Sequence, residues 1–361
     1  MAIYIIVTIL VVFLALGISD TSTLEKIPNG MQTKQQSSNK ILLGAIFVLL
    51  VSISICRIAV GNDYWGYKQI FFFIESGRHV STEIGFNTVV RIMHFLFGTG
   101  NYLVIFGLFG IVTIWFLIKA IYDQSAWVAF SVFLLMTGGY YFSTMASVRY
   151  YFALAVGIYA AKYAIRREWS KVILILAITS LFHMSIWILL PIYYLATREW
   201  KRWHVGILAL ICGSFLLFQN LYRNLIFIFY PYYEGSAFDT GDTSLVNIAK
   251  CSAILIFSLL YYKGIVKENK ELKFYFNLNL FALVLYVFCS FIPEVSRIGY
   301  YMHISNIFLI PGILKKIASK KQKMFFVIAI ILAYILYFAF FLHSCYDIDV
   351  RLLPYRTWIF Q

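Results

Sequence analysis

The chain has 361 residues, of which 61% are hydrophobic and 13% are charged, and its formal net charge is +14. A soluble domain is normally about half apolar, so this composition excludes a soluble protein and indicates a polytopic membrane protein. The basic residues stand in short clusters between apolar segments. That distribution places the clusters in the cytoplasm and requires no nucleic acid partner.

Apolar segments long enough to cross a membrane as helices recur along the chain. Read together with the basic clusters between them, they predict about ten transmembrane helices: 2–18, 41–60, 102–119, 126–142, 147–165, 204–222, 247–262, 274–291, 297–314 and 324–343. The predicted fold class is all-α, with one integral membrane domain over residues 1–361 and both termini external.

Two further apolar segments do not fit plain crossings. Residues 83–97 are short and carry several polar side chains, which predicts an interfacial or re-entrant helix on the outer side. Residues 172–196 lie between two basic clusters, so the charge rule favours two half-helices broken near residues 180–185 over one tilted crossing. The longest external loop is predicted at residues 223–244, because its Tyr, Gly, Ser and Asp content suits a surface loop.

Charged residues gather on the predicted outer face. Arginine in or beside a membrane segment is costly unless it snorkels, pairs or meets an anion. Three arginines and three acids from four separate places fall on this face: Arg57, Asp63, Glu83, Arg149, Glu294 and Arg297. Each has a structural interpretation as well, such as an interfacial belt around Arg57 or a local ion pair between Glu294 and Arg297.

His183 lies in the expected break of residues 172–196. A lone histidine at membrane depth is most often hydrogen-bonded inside the core. Irregular backbone at that depth is tolerated only against protein or a water-filled cavity, however. The break therefore favours a functional position for His183.

These residue types together suit a lipid-linked, phosphate-bearing sugar. Arginine forks match phosphate oxygens, aromatic rings offer flat faces to sugars and acyl chains, and a carboxylate or histidine can accept a hydroxyl proton. Nine aromatic residues lie at the same level: Tyr64, Trp65, Tyr67, Tyr140, Tyr141, Tyr150, Tyr151, Tyr300 and Tyr301. The sequence has no Walker loop, zinc-protease motif or Rossmann fingerprint, and it predicts neither a metal nor a cofactor.

Five short motifs occur in order along the chain: R-x-x-x-G-N-D-Y-x-x-Y from Arg57, E-x-G-F from Glu83, R-Y-Y-x-A from Arg149, F-H-x-S from Phe182 and R-I-G-Y-Y from Arg297. Each motif alone is weak, but the ordered set is more specific and covers nearly the whole chain. The set resembles the EpsG family, membrane proteins related to the Wzy-type polymerases of bacterial exopolysaccharide, capsule and O-antigen.

The resemblance implies a nucleotide-independent membrane glycosyltransferase at the external face of the bacterial cytoplasmic membrane. It would transfer a growing glycan from undecaprenyl diphosphate to a newly flipped lipid-linked repeat unit, beside a flippase and a chain-length regulator. Two alternatives stay open. One is a lipid-linked oligosaccharide flippase or transporter, and the other is an O-antigen ligase-like transferase.

The same resemblance implies roles for individual residues. The diphosphates would be held by Arg57, Arg149 and Arg297. The general base would be Asp63, Glu83 or His183. Further substrate contacts would come from Tyr64, Tyr67, Tyr150, Glu294, Tyr300 and Tyr301.

Overall fold

The computed structural model describes residues 1–19, 29–98, 100–236, 239, 241, 243–347 and 350–360. Positions 237, 238, 240 and 242 of the predicted external loop lie outside the described residues. The described part forms two compact units. Unit 1 comprises Met1–Tyr163, Trp169–Trp187 and Leu314–Gln361, and unit 2 comprises Ala164–Glu168 and Ile188–Ile313. The single membrane domain over residues 1–361 stays a prediction.

All regular structure in these ranges is helical, apart from one isolated bridge. The α-helices in chain order are α1 (Ala2–Leu16), α2 (Asn29–Ile55), α3 (Tyr64–Glu75), α4 (Ile84–Phe97), α5 (Leu103–Gln124), α6 (Val128–Thr137), α7 (Tyr140–Ser143), α8 (Val148–Ile165), α9 (Trp169–Ser180), α10 (Leu189–Ala196), α11 (Arg202–Leu217), α12 (Gln219–Phe229), α13 (Leu245–Leu260), α14 (Lys270–Phe288), α15 (Val295–His303), α16 (Asn306–Lys316) and α17 (Lys320–Ser344).

Unit 1 is built around the long apolar helices α2 and α5, which pack against each other. Helix α1 packs on α2 and α6, α17 packs on α6, and α4 packs on α3 and α5. Gly110 of α5 lets α2 come close, because a Cβ there would lie 2.8 Å from the Oγ of Ser54. The short helices α3 and α4 pack against the first turns of the same helix α5.

Unit 2 is organised around α14, which packs against α10, α11, α13 and α15. Buried amides add directional bonds between these helices. Asn279 Nδ2 donates to the carbonyl oxygen of Cys251 at 3.0 Å, and Asn306 Nδ2 donates to Asn279 Oδ1 at 2.8 Å. Because lipid tails offer no hydrogen-bond partners, such interhelical bonds help to specify how the helices associate.

The all-α prediction is confirmed, and apolar helices of membrane-spanning length are present. By length and composition, four segments of the described residues qualify: Lys34–Ile55, Leu103–Gln124, Lys270–Phe288 and Lys320–Ser344. A fifth would be the pair Trp203–Leu217 and Gln219–Ile228, which is bent by 85°. The predicted count of about ten crossings is not confirmed.

Several predicted spans are shorter or interrupted in the structure. The span expected at residues 126–142 is divided into α6 and α7 by Gly138 and Gly139. Gly139 has a φ of +75°, and a Cβ there would lie 2.8 Å from the Phe341 ring, so both its conformation and its packing require glycine. The span expected at residues 297–314 is likewise divided into α15 and α16.

Helix α12 corrects the expected start of the 223–244 loop. The helix continues to Phe229, so the described non-helical part begins at residue 230 and includes one 3₁₀ turn. The side chains of α12 alternate polar and apolar at helical spacing, a pattern typical of a helix lying at an interface. Arg223 Nη2 pairs with Asp239 Oδ2 at 2.5 Å and ties this helix to the chain that follows it.

The expected break near residues 180–185 is confirmed. Helix α9 ends at Ser180, a 3₁₀ turn covers Met184–Ile188, and α10 begins at Leu189. The short helix expected at residues 83–97 is also present, as α4. The re-entrant and interfacial placements of these elements stay predictions.

Candidate active site

The first turn of α8 lies against an aromatic cluster in unit 1. Its buried rings come from α3, α4, α5 and α8, and include Tyr64, Tyr67, Phe71, Phe86, Phe106, Phe109 and Phe152. Tyr64 stacks on Phe106 with ring centroids 4.7 Å apart, and Tyr67 meets Phe86 edge-on at 5.9 Å. Such packing fixes the backbone from which the neighbouring polar side chains project.

Helix α4 begins beside the break that follows α9. The backbone N–H groups of Gly85 and Phe86 both donate to the carbonyl oxygen of Leu181, at 2.9 and 3.3 Å. This approach requires glycine, because a Cβ at residue 85 would lie 2.8 Å from the Leu181 Cβ and carbonyl oxygen. The E-x-G-F and F-H-x-S motifs are thereby brought together, with Glu83 facing His183.

Glu83, Arg149 and His183 form one polar cluster at this junction. Arg149 Nη1–H donates to Glu83 Oε2, and His183 Nδ1 lies 3.6 Å from Glu83 Oε1. The backbone N–H of Met184 donates to the same Oε1 at 3.1 Å. Each of the three side chains is 20% exposed, so the cluster is shielded from bulk water but not sealed.

Tyr67 holds the other side of the Arg149 guanidinium. Its hydroxyl accepts from the backbone N–H of Arg149 at 3.2 Å and from Nε–H at 3.4 Å. The guanidinium carbon also lies 5.4 Å from the centroid of the Phe86 ring. Because Tyr67 and Glu83 take up the Nε and Nη1 donors, the Nη2 group is left to bind an anion.

The charge of Glu83 follows from these contacts. Burial alone would raise its pKa, but the approach of His183, the charge of Arg149 and the Met184 N–H together lower the pKa to about 2. Glu83 is therefore ionised at neutral pH and is too weak a base to take a proton from a sugar hydroxyl. The carboxylate faces His183 Nδ1 at 3.6 Å, just beyond hydrogen-bond distance, and Nδ1 has no hydrogen-bond partner among the described residues.

Arg57 occupies a closed position two residues beyond the end of α2. It is 3% exposed, its Nη1 donates to Ser54 Oγ at 3.2 Å, and its guanidinium lies 5.3 Å from the Phe106 centroid. Its Nε has no hydrogen-bond partner, and no carboxylate of the described residues pairs with it. The adjoining cavity of about 10 Å³, lined in part by Thr113 and Thr144, has room for about one water molecule.

The C-terminal segment, residues 351–358, pairs with the backbone around this arginine. Backbone hydrogen bonds join residues 56–61 to residues 351–358, among them the N–H of Ile58 to the carbonyl oxygen of Arg356 at 2.9 Å. Arg57 itself forms an isolated antiparallel bridge with this segment. Arg57 is 3% exposed, whereas the Arg149 side chain is 20% exposed, so Arg149 is the more accessible of the two to a diphosphate.

The other predicted residues of unit 1 are placed as follows. Asp63 stands at the N-cap of α3 without a capping hydrogen bond, and it takes no part in the Glu83 cluster. Tyr64 is 1% exposed in the aromatic cluster. Tyr150 packs edge-on against His183, with ring centroids 5.9 Å apart.

The predicted residues of unit 2 lie near the start of α15. Glu294 has a φ of +58°, and its Oε2 accepts from Arg297 Nε at 2.9 Å, the local ion pair that the sequence allowed. Tyr300 contacts the ring of His303, and Tyr301 is buried. Within the described ranges of both units, no three His, Cys, Asp or Glu side chains approach one another as metal ligands.

A protein-family comparison accounts for the ordered motifs. The family model described as the EpsG family matches residues 40–357, which include all five motifs and all but the last residue of the C-terminal segment. The chain belongs to the EpsG family. EpsG proteins are polysaccharide polymerase-like membrane proteins, so the resemblance seen in the sequence is confirmed at that level. Searches of the curated proteins and of the solved structures give no match.

The Glu83 contacts give this EpsG protein a specific response to acid. The pKa of Glu83 is lower in the folded protein than in the unfolded chain, so its stabilising contribution is present above about pH 4.5 and is lost as the pH falls towards 2. We expect the Tm of the purified protein to fall more steeply over this range than the Tm of Glu83→Gln. Glu75→Gln is the control and should follow the wild type. Equal slopes for wild type and Glu83→Gln would contradict the assignment.

Replacing Arg57 is expected to change the Tm and the polymer yield in different ways. Burial lowers its pKa to about 10 although nearby tyrosines raise it, so Arg57 stays charged at neutral pH without an acidic partner. Replacing such a desolvated cation by an apolar side chain of similar length is often neutral or stabilising. We expect Arg57→Met to keep or raise the Tm while lowering polymer yield at least about tenfold. A lower Tm together with normal polymer would contradict this.

Sequence reasoning missed two features of the EpsG site. The first is Gly85, whose lack of a side chain lets α4 contact Leu181. The E-x-G-F motif includes this glycine, but the motif alone does not show why a glycine is needed there. The second is the C-terminal segment, where Tyr355 OH donates to the carbonyl oxygen of Ile53 at 2.9 Å. The sequence signal for this contact was the cluster of arginines and aromatic residues that follows the last apolar helix.

Proposed function

We propose that this EpsG protein is a nucleotide-independent glycan polymerase. It transfers a glycan from undecaprenyl diphosphate to a lipid-linked repeat unit at the external face of the bacterial cytoplasmic membrane, with about ten crossings and both termini external. One observation carries the proposal. Glu83, Arg149 and His183 come from three distant segments and meet in a partly exposed cluster, in which the Glu83 carboxylate lies between the Arg149 guanidinium and the His183 ring.

His183 is the general base in this proposal. Its ring accepts the proton of the acceptor hydroxyl, and the hydroxyl oxygen bonds to the anomeric carbon of the donor glycan. The bond between that carbon and the diphosphate breaks, and its electron pair leaves with the diphosphate oxygen. Glu83 positions the ring through Nδ1 and balances the charge of the imidazolium, while its own low pKa keeps it from competing for the proton.

Arg149 binds the departing diphosphate. Its guanidinium is fixed by Glu83 and Tyr67 before substrate arrives, so little reorganisation is needed when negative charge develops. The aromatic rings of Phe86 and Tyr67 also contact the Arg149 guanidinium. Phosphate oxygens can then bind the remaining Nη2 donors in the planar geometry that arginine favours.

The remaining predicted residues have supporting roles in the proposal. Arg57 supplies a fixed positive charge. It contacts Phe106 of the aromatic cluster, and Arg149 contacts Phe86 of the same cluster. Arg297 binds a second diphosphate. In unit 1, Asp63 and Tyr150 contact the sugar and the buried Tyr64 supports them; in unit 2, Glu294 and Tyr300 have the contact role and the buried Tyr301 supports them. A flippase that delivers repeat units and a chain-length regulator are the proposed protein partners.

Reconstitution tests the reaction directly. Purified protein in liposomes, given undecaprenyl-diphosphate-linked repeat units and no nucleotide sugar, is expected to produce a ladder of lengthened glycans and free undecaprenyl diphosphate. Movement of unchanged lipid-linked units across the bilayer would favour the transporter alternative. Transfer only to a lipid A acceptor, with no ladder, would favour the ligase-like alternative.

A further inference from the structure

Arg57 borders a small cavity inside unit 1. The cavity has a volume of about 10 Å³ and lies between the end of α2, the first half of α5 and the chain from α7 to α8. Ser54, Thr113 and Thr144 bring hydroxyl groups to it, and no acidic side chain is among its described lining residues. A space of this size suits one water molecule or one monatomic ion, and it is too small for a phosphate or a carboxylate ligand.

The described residues supply no negative charge to balance the Arg57 guanidinium. Arg57 is 3% exposed, and the groups that interact electrostatically with it are phenols rather than carboxylates. Each phenol donates its hydroxyl proton at 2.7 to 3.5 Å, three of them to backbone carbonyl oxygens and one to another phenol: Tyr4, Tyr141, Tyr355 and Tyr64. A phenol that donates its proton in this way is neutral. Because a buried charge is costly unless it is paired, the balancing charge is expected to come from a bound anion.

The polar atoms at the cavity are mainly donors. Arg57 Nη1 donates to Ser54 Oγ at 3.2 Å, while its buried Nε–H has no hydrogen-bond partner among the described residues. Ser54 accepts that bond, so its own hydroxyl proton is available to a second partner. Thr144 differs, because its hydroxyl donates to the carbonyl oxygen of Tyr141 at 2.6 Å. A cavity that offers a cation and hydroxyl protons favours an anion over water, because an anion satisfies the donors and also balances the charge.

We propose that this cavity binds one chloride ion as the counter-ion of Arg57. Chloride is only slightly larger than a water molecule, and it combines the negative charge that the guanidinium requires with the size that the cavity allows. The ion accepts from Arg57 and from the hydroxyls of Ser54 and Thr113. Bound chloride reduces the net positive charge that Arg57 contributes to the proposed glycan transfer, but its binding does not depend on that transfer.

Thermal unfolding of the full chain in detergent tests the site. Chloride replaces gluconate stepwise at constant ionic strength, since gluconate is too large for the cavity. The wild-type Tm is expected to rise by at least about 2 °C and then to level off as the site fills. Arg57→Met should not respond to chloride. Arg78→Met, which removes an exposed arginine of the same unit, should respond like the wild type.

Thr113→Val is a second and milder variant of the same cavity. It keeps the size of the side chain and the charge of Arg57 but removes one hydroxyl donor. We expect about five times more chloride to be needed for the half-maximal rise in Tm. Scintillation proximity with radioactive chloride measures binding without unfolding. It should show weaker binding to Thr113→Val than to the wild type and no saturable signal for Arg57→Met.

Three results would overturn the proposal. A wild-type Tm that does not change with chloride would show that a neutral molecule such as water occupies the cavity. An equal rise in Arg57→Met would show that chloride acts elsewhere on the protein. An unchanged half-point in Thr113→Val would place the ion outside this cavity. Because every readout is ion binding or stability, failure of the polymerase proposal would leave these outcomes unaffected.

Discussion

Replacing Arg149 by alanine is expected to abolish polymer formation while the protein stays in the membrane. The substitution removes the exposed guanidinium that is already oriented by Glu83 and Tyr67. Loss of one preorganised donor to developing negative charge typically costs about 100-fold to 1,000-fold in rate. Glu83 would also be left partly buried without its cation, so a lower Tm is expected as well. Glycan length on gels and protein yield in membranes are the measurements.

Two variants make the Arg149 result specific. Arg149→Lys keeps the charge but loses the planar fork, so it is expected to recover only part of the polymer. Arg78→Ala removes an exposed arginine that contacts the Phe73 ring in the same unit, and it should leave polymer length unchanged. Full-length polymer from Arg149→Ala at normal protein yield would contradict a role for Arg149 in binding the diphosphate.

Replacing His183 by glutamine is expected to lower transfer by about 100-fold to 10,000-fold, the usual contribution of a general base. Glutamine keeps a polar side chain in the break after α9 but cannot take up the hydroxyl proton. The fold should be kept, because the Leu181 carbonyl accepts from the N–H of Gly85 and the Met184 N–H donates to the Glu83 carboxylate, and neither contact uses the His183 ring. The initial rate of glycan transfer in liposomes is the measurement.

The control for His183 is His79, an exposed histidine between α3 and α4 in the same unit. His79→Gln should transfer glycan at the wild-type rate. If His183→Gln transferred as fast as His79→Gln, the base would have to be another group. Asp63 would then be the next residue to test, since Glu83 is held ionised by its contacts.

The sequence was most informative where a residue type is costly in a membrane. Arg149, Glu83 and His183 were all singled out for this reason, and the structure brings them together in one cluster. Which residues would pair could not be predicted, because Glu83 precedes α4 and His183 follows α9, and the relative position of these two helices depends on tertiary packing. The deciding contact is the approach of Leu181 to Gly85, and sequence spacing does not encode it.

Arg57 shows the opposite case. Its sequence context indicated an exposed interfacial arginine or a phosphate ligand, whereas the structure buries its side chain with Ser54 as a hydrogen-bond partner and bridges its backbone to the C-terminal segment. The C-terminal segment is about 300 residues away in sequence. The hydropathy and motif patterns of the sequence cannot reveal this contact, because it forms only when the segment after α17 folds back to the end of α2.

Helix boundaries were predicted better than helix continuity. Hydrophobic runs located the ends of α5, α14 and α17 within about five residues, whereas α2 begins twelve residues before its predicted start because its first turns are polar. The runs could not reveal the break at Gly139, where the ring of Phe341 packs against a backbone with positive φ. A hydropathy pattern shows which residues are apolar enough to lie in a membrane. It does not show a helix break such as the one at Gly139, because that break depends on a side chain from another helix.

The central claim is that Glu83 acts through His183, and a double-mutant cycle tests it most directly. The initial rate of glycan transfer in liposomes is measured for wild type, Glu83→Gln, His183→Gln and the double variant. If the carboxylate positions the imidazole, the loss in the double variant should be clearly smaller than the product of the two single losses, and the part of the Glu83→Gln loss that persists without His183 is its effect on Arg149. A double variant whose loss equals the product of the two single losses would show that the residues act independently and would contradict this account.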